Sequence, residues 1–425
     1  MPQVRFLNLG LALLFRSPRS SAPSASLRYP YLFMSPKPPN WGKPPWTISF
    51  RPKRKPLPSQ VDFAIVGAGF SGLSAAAHLK RLAPKKSVIV LECGALGAGS
   101  SGHTGGMALA DTAAGPLPGL GDVLAGYKKI LRDLHISAEL SLPGVWELAR
   151  GKYSMEGKEV HPLRHSPIDW NDSGRLRAVN KVPGGTVNPG KVISGLARAA
   201  EKPGSIFTHT SVLEVRFGSP PKIVVNHNGK KRTITAHRVL VATNAASLEL
   251  TALQRSTEAH LTFALATEPL KKSQLKALGL ASRKPFYTVD FPYLWGRLTQ
   301  NNSVIFGAGL VTSKNWRGLH HLNVRRGQPA DRLRWLEDRV HNLHPALKNA
   351  RITHRWSGPI LFTQKMRPVF RHHPKSRNAI ILAGFNGHGV ALSVYLGKWA
   401  AQSLLNKRAL PDWSPHTKPR KPILR

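Results

Sequence analysis

The stretch VDFAIVGAGFSGLSAAAHLKRLAPKKSVIVLEC, residues 61–93, constrains the fold more than any other part of the chain. VDFAIV is a short, mostly apolar run with strand character, and GAGFSG is a glycine turn. Gly72, Ala75, Ala76, Leu79 and Ala83 then recur at helical spacing on one face, with His78, Lys80 and Arg81 predicted to turn away. SVIVLEC is a second strand. Strand, helix and strand in this order make a βαβ unit, whose two strands run parallel. Each glycine has a mechanical reason: Gly67 permits the tight turn, Gly69 admits a pyrophosphate close to the backbone, and Gly72 lets the helix approach the sheet. The helix opens at Phe70 and Ser71, where free N–H groups and the positive end of the dipole favour phosphate. Glu92 ends the second strand, where an acid accepts hydrogen bonds from ribose hydroxyls. The unit is therefore predicted to bind a dinucleotide, and by itself it suits NAD and FAD equally.

The chain has 425 residues, enough for one elaborate domain or two that share a surface. It carries 62 Lys and Arg against 21 Asp and Glu, a net charge of +41. Ten of those cations and no acid lie in residues 1–60, so the rest still carries +31. The basicity belongs to the whole surface, read as a solvated background, and nucleic acid is a secondary expectation because no zinc-finger spacing, RNP-type stretch or heptad accompanies it. No apolar run approaches the length of a membrane span. Cys93 is the only cysteine, which excludes an intrachain disulfide and a cysteine-based metal cluster. Its place in an apolar strand pattern predicts a buried structural thiol, and no metal site is expected.

Residues 1–60 hold 12 of the 35 prolines and are read as a basic tail, a targeting segment or an extended wrapping arm. FLNLGLALLF followed by an Arg- and Ser-rich stretch reads as a signal or a transit segment, and Met34 is an alternative start. The location expected is cytoplasmic, or mitochondrial if residues 1–33 are a transit peptide. Beyond them RVLVATNAAS and NAIILAGFNGHG are short apolar strands ending in small residues, as in strands covered on both faces. Residues 205–243 alternate like antiparallel ribbon with a turn at NHNGKK, and residues 260–311 contain further strands. The architecture predicted is α/β, a Rossmann-like nucleotide lobe interleaved with an antiparallel-sheet substrate lobe. Nucleotide-lobe segments are placed at 61–110, 181–255 and 356–407, a helical substrate-lobe segment at 111–180, an antiparallel substrate domain at 256–355, and a basic tail at 408–425.

Four segments in order, LECGALGAGSSGHTGG, GGTVNPGKVISGLARAA, RVLVATNAAS and ILAGFNGHGVALSVYLGKWAAQSL, resemble the D-amino acid oxidase-like FAD-dependent oxidoreductases, the group containing glycine oxidase, sarcosine oxidase and dimethylglycine dehydrogenase. The resemblance spans roughly 61–407 and implies FAD as the cofactor. It implies flavin contacts from Cys93, Ser100, Ser101 and His103 on the loop after the acid, and from Val212 on a second strand. It implies further contacts from Gly384, Asn386, Gly387, His388, Gly389 and Val390 on the C-terminal turn. Backbone N–H groups of such a turn suit the flavin pyrimidine oxygen. Three roles stand open for His103: covalent attachment to the flavin, a noncovalent contact, and none. His388 either borders the flavin or fills the helix start.

The look is nearest the amine-oxidising branch that contains gamma-glutamylputrescine oxidoreductase. Glycine-oxidase-like members carry Arg-Pro after a Trp-x-Gly, and that Arg grips the substrate carboxylate; here WSGPILFTQKMRPVF puts Ile360 and Leu361 in those places. Arg297 and Arg367 are alternative sources of charge. FYTVDFPYLWGR places Tyr287, Phe291, Tyr293 and Trp295 close together, an aromatic wall suited to a cationic amine or else a core strand. Tyr293 and Arg297 are the catalytic candidates. The resemblance implies oxidation of an amine or amino acid to an imine, with oxygen or another acceptor reoxidising the flavin. The alternatives are a sarcosine- or dimethylglycine-type enzyme, a tRNA-modifying flavin domain, and a flavoprotein without catalysis.

Overall fold

The computed structural model describes residues 39–413, apart from 152, 156, 157, 202, 203 and 314. The leader read at 1–33, the start at Met34 and the last part of the basic tail lie outside the described residues. Gln60–Val66 lies between Val88–Leu91 and Lys230–Val241, parallel to both, and Ser376–Ala383 extends the parallel sheet beyond Lys230–Val241. Ile206–Phe207 closes the other edge. Phe63 and Ile65 pack on the helical side of this sheet, while Ala64 and Val66 pack on the other, so the apolar end of the strand is buried on both faces. The helical side is made by Phe70–Leu82, Pro189–Ala200 and Gly389–Leu404. The opposite side is covered by an antiparallel ribbon, Thr210–Arg216, Lys222–His227 and the first half of Lys230–Val241. Asn228 and Gly229 turn that ribbon with φ of 53° and 77°, as a two-residue hairpin requires.

The second sheet runs in the order Ile352–Thr363, Thr257–Pro269, Ser303–Thr312, Trp295–Leu298, Phe286–Thr288, Val145–Arg150, Arg175–Val182, Asp169–Asn171. All neighbours are antiparallel except Phe286–Thr288 against Val145–Arg150. The helix Gly327–Leu343 shares its core. The architecture is thus an α/β nucleotide lobe threaded through a largely antiparallel lobe. The boundary expected at residue 356 falls inside the strand Ile352–Thr363, which pairs with Thr257–Pro269 along its length. Likewise Val123–Asp133, expected in the substrate lobe, packs with the nucleotide-lobe helices.

Residues 39–59 are the wrapping arm rather than a free tail. Trp41 is buried, its Nε1–H donates to Leu319 O at 3.0 Å, and its carbonyl accepts from Ser357 N at 2.7 Å. Trp46 Nε1–H donates to Gly102 O at 2.8 Å, and Ile48 and Phe50 pack on the helical core. The prolines forbid regular structure along this arm, and indole anchors replace a hydrogen-bonded ladder.

His78 corrects the helix-face reading. It is buried, because Pro189–Ala200 and Gly389–Leu404 flank the first helix and leave little of it to solvent. Its Nδ1–H donates to Ser74 O at 2.7 Å. Burial, followed by the Lys398 and Arg81 charges, pushes the ring down to about 4 from 6.5. The unfolded chain therefore takes up this proton first as pH falls. Stability from a neutral His78 is complete above pH 6.5 and is lost by pH 4, a swing of up to about 3 kcal/mol. Denaturant midpoints measured across that window are expected to fall less steeply in His78→Gln than in the parent; equal slopes contradict this burial.

Candidate active site

The C-terminal ends of the parallel strands carry the loops expected at a ligand crevice. Gly67 leaves the first strand with φ +104°, and a Cβ there would stand 2.7 Å from Ala242 O on the neighbouring crossover. A Cβ on Gly72 would stand 2.0 Å from Gly67 O, so close packing of helix on turn requires glycine. Phe70 N donates to Ser101 Oγ at 3.0 Å, so the helix start is capped from the loop after the second strand. Glu92 accepts from Ala68 N and Gly94 N, both at 2.9 Å, which locks the acid against the glycine turn. At the far end, Gly384, Asn386 and Gly387 all take positive φ before the helix Gly389–Leu404. Asn386 is buried; its Oδ1 accepts from Thr363 N at 2.7 Å and its Nδ2 donates to Gly384 O at 2.7 Å.

These loops share one cavity of about 1030 Å³ with the antiparallel sheet. Gly67, Gly69, Phe70, Ser71, Glu92, Cys93, Ser100, Ser101, His103, Val212, Asn386, Gly387, His388, Gly389 and Val390 all line it. Gly72 and Gly384 stand behind the wall. Ile360, Leu361, Phe362, Phe291, Tyr293, Trp295, Trp316 and Trp335 bring an apolar and aromatic surface from the other lobe. A Cβ on Gly387 would lie 3.4 Å from Ile360 Cδ1, so the glycine turn faces this apolar wall.

Three expectations are corrected here. Arg297 does not line the cavity: it is 6% exposed, its Nε–H donates to Gly105 O at 2.5 Å, and Trp46 lies 5.8 Å from its guanidinium. The Gly105–Gly106 segment covers it, and burial pushes it down to about 10. Arg367 is exposed and is not on the wall. Cys93 is exposed on the cavity wall rather than buried, because the strand ends at Leu91.

His103 lines the cavity with its ring edge-on to Trp41 at 5.8 Å, and its Nδ1–H donates to Gly99 O at 3.0 Å. Burial pushes its pKa down, and so does burial at His388, whose Nδ1–H donates to Asn386 O at 3.2 Å. Sequence reasoning missed Trp41, His209 and Asn244, all on the wall. Asn244 takes φ +48°; its Oδ1 accepts from Gly384 N at 3.0 Å and its Nδ2 donates to Ser100 Oγ at 3.1 Å. The dipeptide Thr-Asn directly after an apolar strand was the available signal, because Asn tolerates the left-handed region.

A parallel nucleotide lobe whose loops share one cavity with an antiparallel lobe is the plan of a flavin-binding oxidoreductase. The chain belongs to the family described as FAD dependent oxidoreductases (DAO), whose model matches residues 62–403. It is similar to gamma-glutamylputrescine oxidoreductase of Escherichia coli (strain K12), with 24% identity over 388 residues, 81% of this chain and 83% of that protein. Among solved structures it is similar to glycine oxidase from Geobacillus kaustophilus, with TM-score 0.62, 17% identity, and coverage of 83% of this chain and 96% of the other. It is also similar to L-proline dehydrogenase from P. horikoshii, with TM-score 0.63, 19% identity, and coverage of 83% and 95%. No described helix is long and apolar enough to cross a membrane.

FAD is the cofactor of this family, and the residues present fit it. Thr243 Oγ1 and Ser393 Oγ are buried on the cavity wall and have no hydrogen-bond partner among the described residues. Polar atoms in that position call for a bound partner. The side-chain-free turn at Gly67 and Gly69 leaves backbone open to a pyrophosphate. Glu92→Ala is expected to lower FAD affinity about tenfold or more, a charge-assisted bond being worth about 1.5–3 kcal/mol. Titration of apoprotein by flavin fluorescence checks this, and unchanged affinity contradicts it.

Proposed function

We propose that the chain oxidises the C–N bond of an amine to an imine, which water then hydrolyses, and that the family's amino acid chemistry is the lesser activity. Flavin, when bound, supplies the two-electron acceptor for the hydride leaving the carbon beside nitrogen. The observation that carries this reading is the wall at Ile360, Leu361 and Phe362. Among the described residues the only Lys or Arg on the cavity wall is Arg317, and that guanidinium is held by Glu249 at 2.9 Å. An α-carboxylate next to the reacting carbon would have no bidentate partner at the apolar wall. The name of the Escherichia coli relative supports an amine substrate as well.

In this reading Tyr293 and Trp295, both on the wall, flank the amine, and their ring faces favour a cation on approach. Aromatic surface also excludes water from the carbon to be oxidised. The N–H groups of Gly387 and Gly389, at the start of a 16-residue helix, stabilise negative charge arising at the flavin ring. Glu92 takes the ribose, and Gly67 to Ser71 take the pyrophosphate. Ser100, Ser101, Cys93 and Val212 enclose the nucleotide, with Asn386 and Val390 fixing the turn beside the ring. In this reading His103 is a noncovalent flavin contact, its ring held in place by the hydrogen bond from Nδ1–H to Gly99 O. Arg297 acts behind the wall by holding the Gly105 carbonyl.

Anaerobic mixing of the flavin-loaded protein with a panel of primary and secondary amines is expected to bleach the flavin faster than sarcosine, dimethylglycine or glycine does. Bleaching by the amino acids alone overturns the reading. Ile360→Arg is expected to shift kcat/KM toward α-amino acids by about tenfold relative to amines, through a carboxylate clamp. An unchanged ratio argues against the wall as the selector.

A further inference from the structure

The turn Asp290–Tyr293 forms part of the cavity wall, yet apolar burial does not hold it: Phe291 is 55% exposed and Tyr293 38% exposed. Its backbone is held by charge. Arg150, at the end of the strand Val145–Arg150, donates through its backbone N–H to Asp290 Oδ2 at 2.7 Å and through Nη1 to Asp290 Oδ1 at 2.5 Å. Its Nη2 donates to Pro292 O at 2.8 Å and pairs with Asp172. Arg339, on the helix Gly327–Leu343, donates to Pro292 O at 2.8 Å and to Tyr293 O at 3.0 Å. Asp172 joins the two arginines, accepting from Arg339 Nε at 2.8 Å and Nη2 at 2.6 Å. The side chains of Arg150, Asp172 and Arg339 are 8%, 2% and 7% exposed. Burial pushes Asp172 up, but Arg339 and Arg150 outweigh it and hold the carboxyl below its usual range. Trp335, one helical turn before Arg339 and 5.2 Å from its guanidinium, also lines the cavity.

We propose that Arg150 and Arg339, joined through Asp172, are positioning residues that set the shape of the substrate wall by gripping the carbonyls of Pro292 and Tyr293. Three separate elements converge on one turn that lines the cavity, and two cations against two acids make the cluster neutral. Neither arginine lines the cavity. Their grip keeps the ring of Tyr293 and, through Trp335, a second aromatic face at fixed positions on the wall. An ammonium reproduces this only in part, because its three donors radiate from one atom, whereas the planar fork of Arg339 holds Asp172, Pro292 O and Tyr293 O from separate nitrogens in a fixed geometry. The kinetic consequence rests on the amine-oxidising reading; the structural claim does not.

The test uses the full chain with FAD bound. Hydrogen exchange is followed at Thr288, Val289 and Leu294, whose amides donate to Leu294 O, Leu148 O and Thr288 Oγ1 at 2.8, 2.8 and 2.9 Å. In Arg339→Gln these amides are expected to exchange about tenfold faster, with Arg339→Lys in between, while the strand Gln60–Val66 and the flavin content stay unchanged. For whichever amine reduces the flavin, KM rises more than kcat falls, and Arg339→Lys rescues part of it. Unchanged exchange at the three amides overturns the proposal, as does an equal rise in the strand Gln60–Val66. If Arg339→Gln does not fold, the same comparison in Arg339→Lys decides. If no amine is turned over, the functional reading fails while the exchange result still judges the positioning claim.

Discussion

A relay of three hydrogen bonds ties the two lobes together at the cavity. Gly384 N donates to Asn244 Oδ1, Asn244 Nδ2 donates to Ser100 Oγ, and Ser100 Oγ donates to Pro359 O at 2.7 Å. The first three residues lie in loops that leave three different parallel strands, and the fourth lies on the antiparallel sheet. Because a hydroxyl accepts one bond and donates another, Ser100 joins the lobes without an unsatisfied atom. The loops that line the cavity are thereby held in one arrangement relative to the wall that faces them, which is what a site needs when its ligand spans both lobes.

The N-terminal arm extends the same logic from outside. Trp41 stands against His103 and also contacts His320 at 5.4 Å between ring centres. Trp46 holds Gly102 O and packs edge-on to Trp356, whose own Nε1–H donates to His103 O at 3.0 Å. Three indoles from the arm and the second sheet therefore fix the short helix Ser100–His103 beneath the cavity. Large rings combine extensive burial with one polar tip, which suits an arm that has no ladder of its own.

Local chemistry was legible in the sequence, and long-range closure was not. VDFAIVGAGFSG declares strand, turn and helix within twelve residues: Gly72 answers a demand made by Gly67 O five residues earlier, although the atoms that crowd Gly67 and Gly69 come from Ala242 and Ser101. The aromatic stretch at 286–297 was readable from local pattern too: alternation alone puts Tyr293 and Trp295 toward one side. Arg297 shares that alternation, yet the Gly105–Gly106 segment, almost two hundred residues earlier in the chain, lies between it and the cavity. His78 failed similarly, since helical periodicity distinguishes a sheet-facing side but not the side that two later helices cover. The anchoring of the Pro-rich arm depends on acceptors at Gly102 and Leu319, which no local pattern announces.

Composition was least informative about the site. The excess of cations sits largely outside the cavity, whose wall holds one arginine among the described residues, already paired. The cavity between the lobes, with Pro39 and Trp41 of the arm on its wall, is read as the FAD site, and the most direct measurement is the absorption spectrum and flavin content of the purified full chain, before and after protein precipitation by acid. The expected result is a yellow protein that releases close to one equivalent of FAD per chain into the supernatant. A colourless protein that takes up no FAD on reconstitution would contradict it.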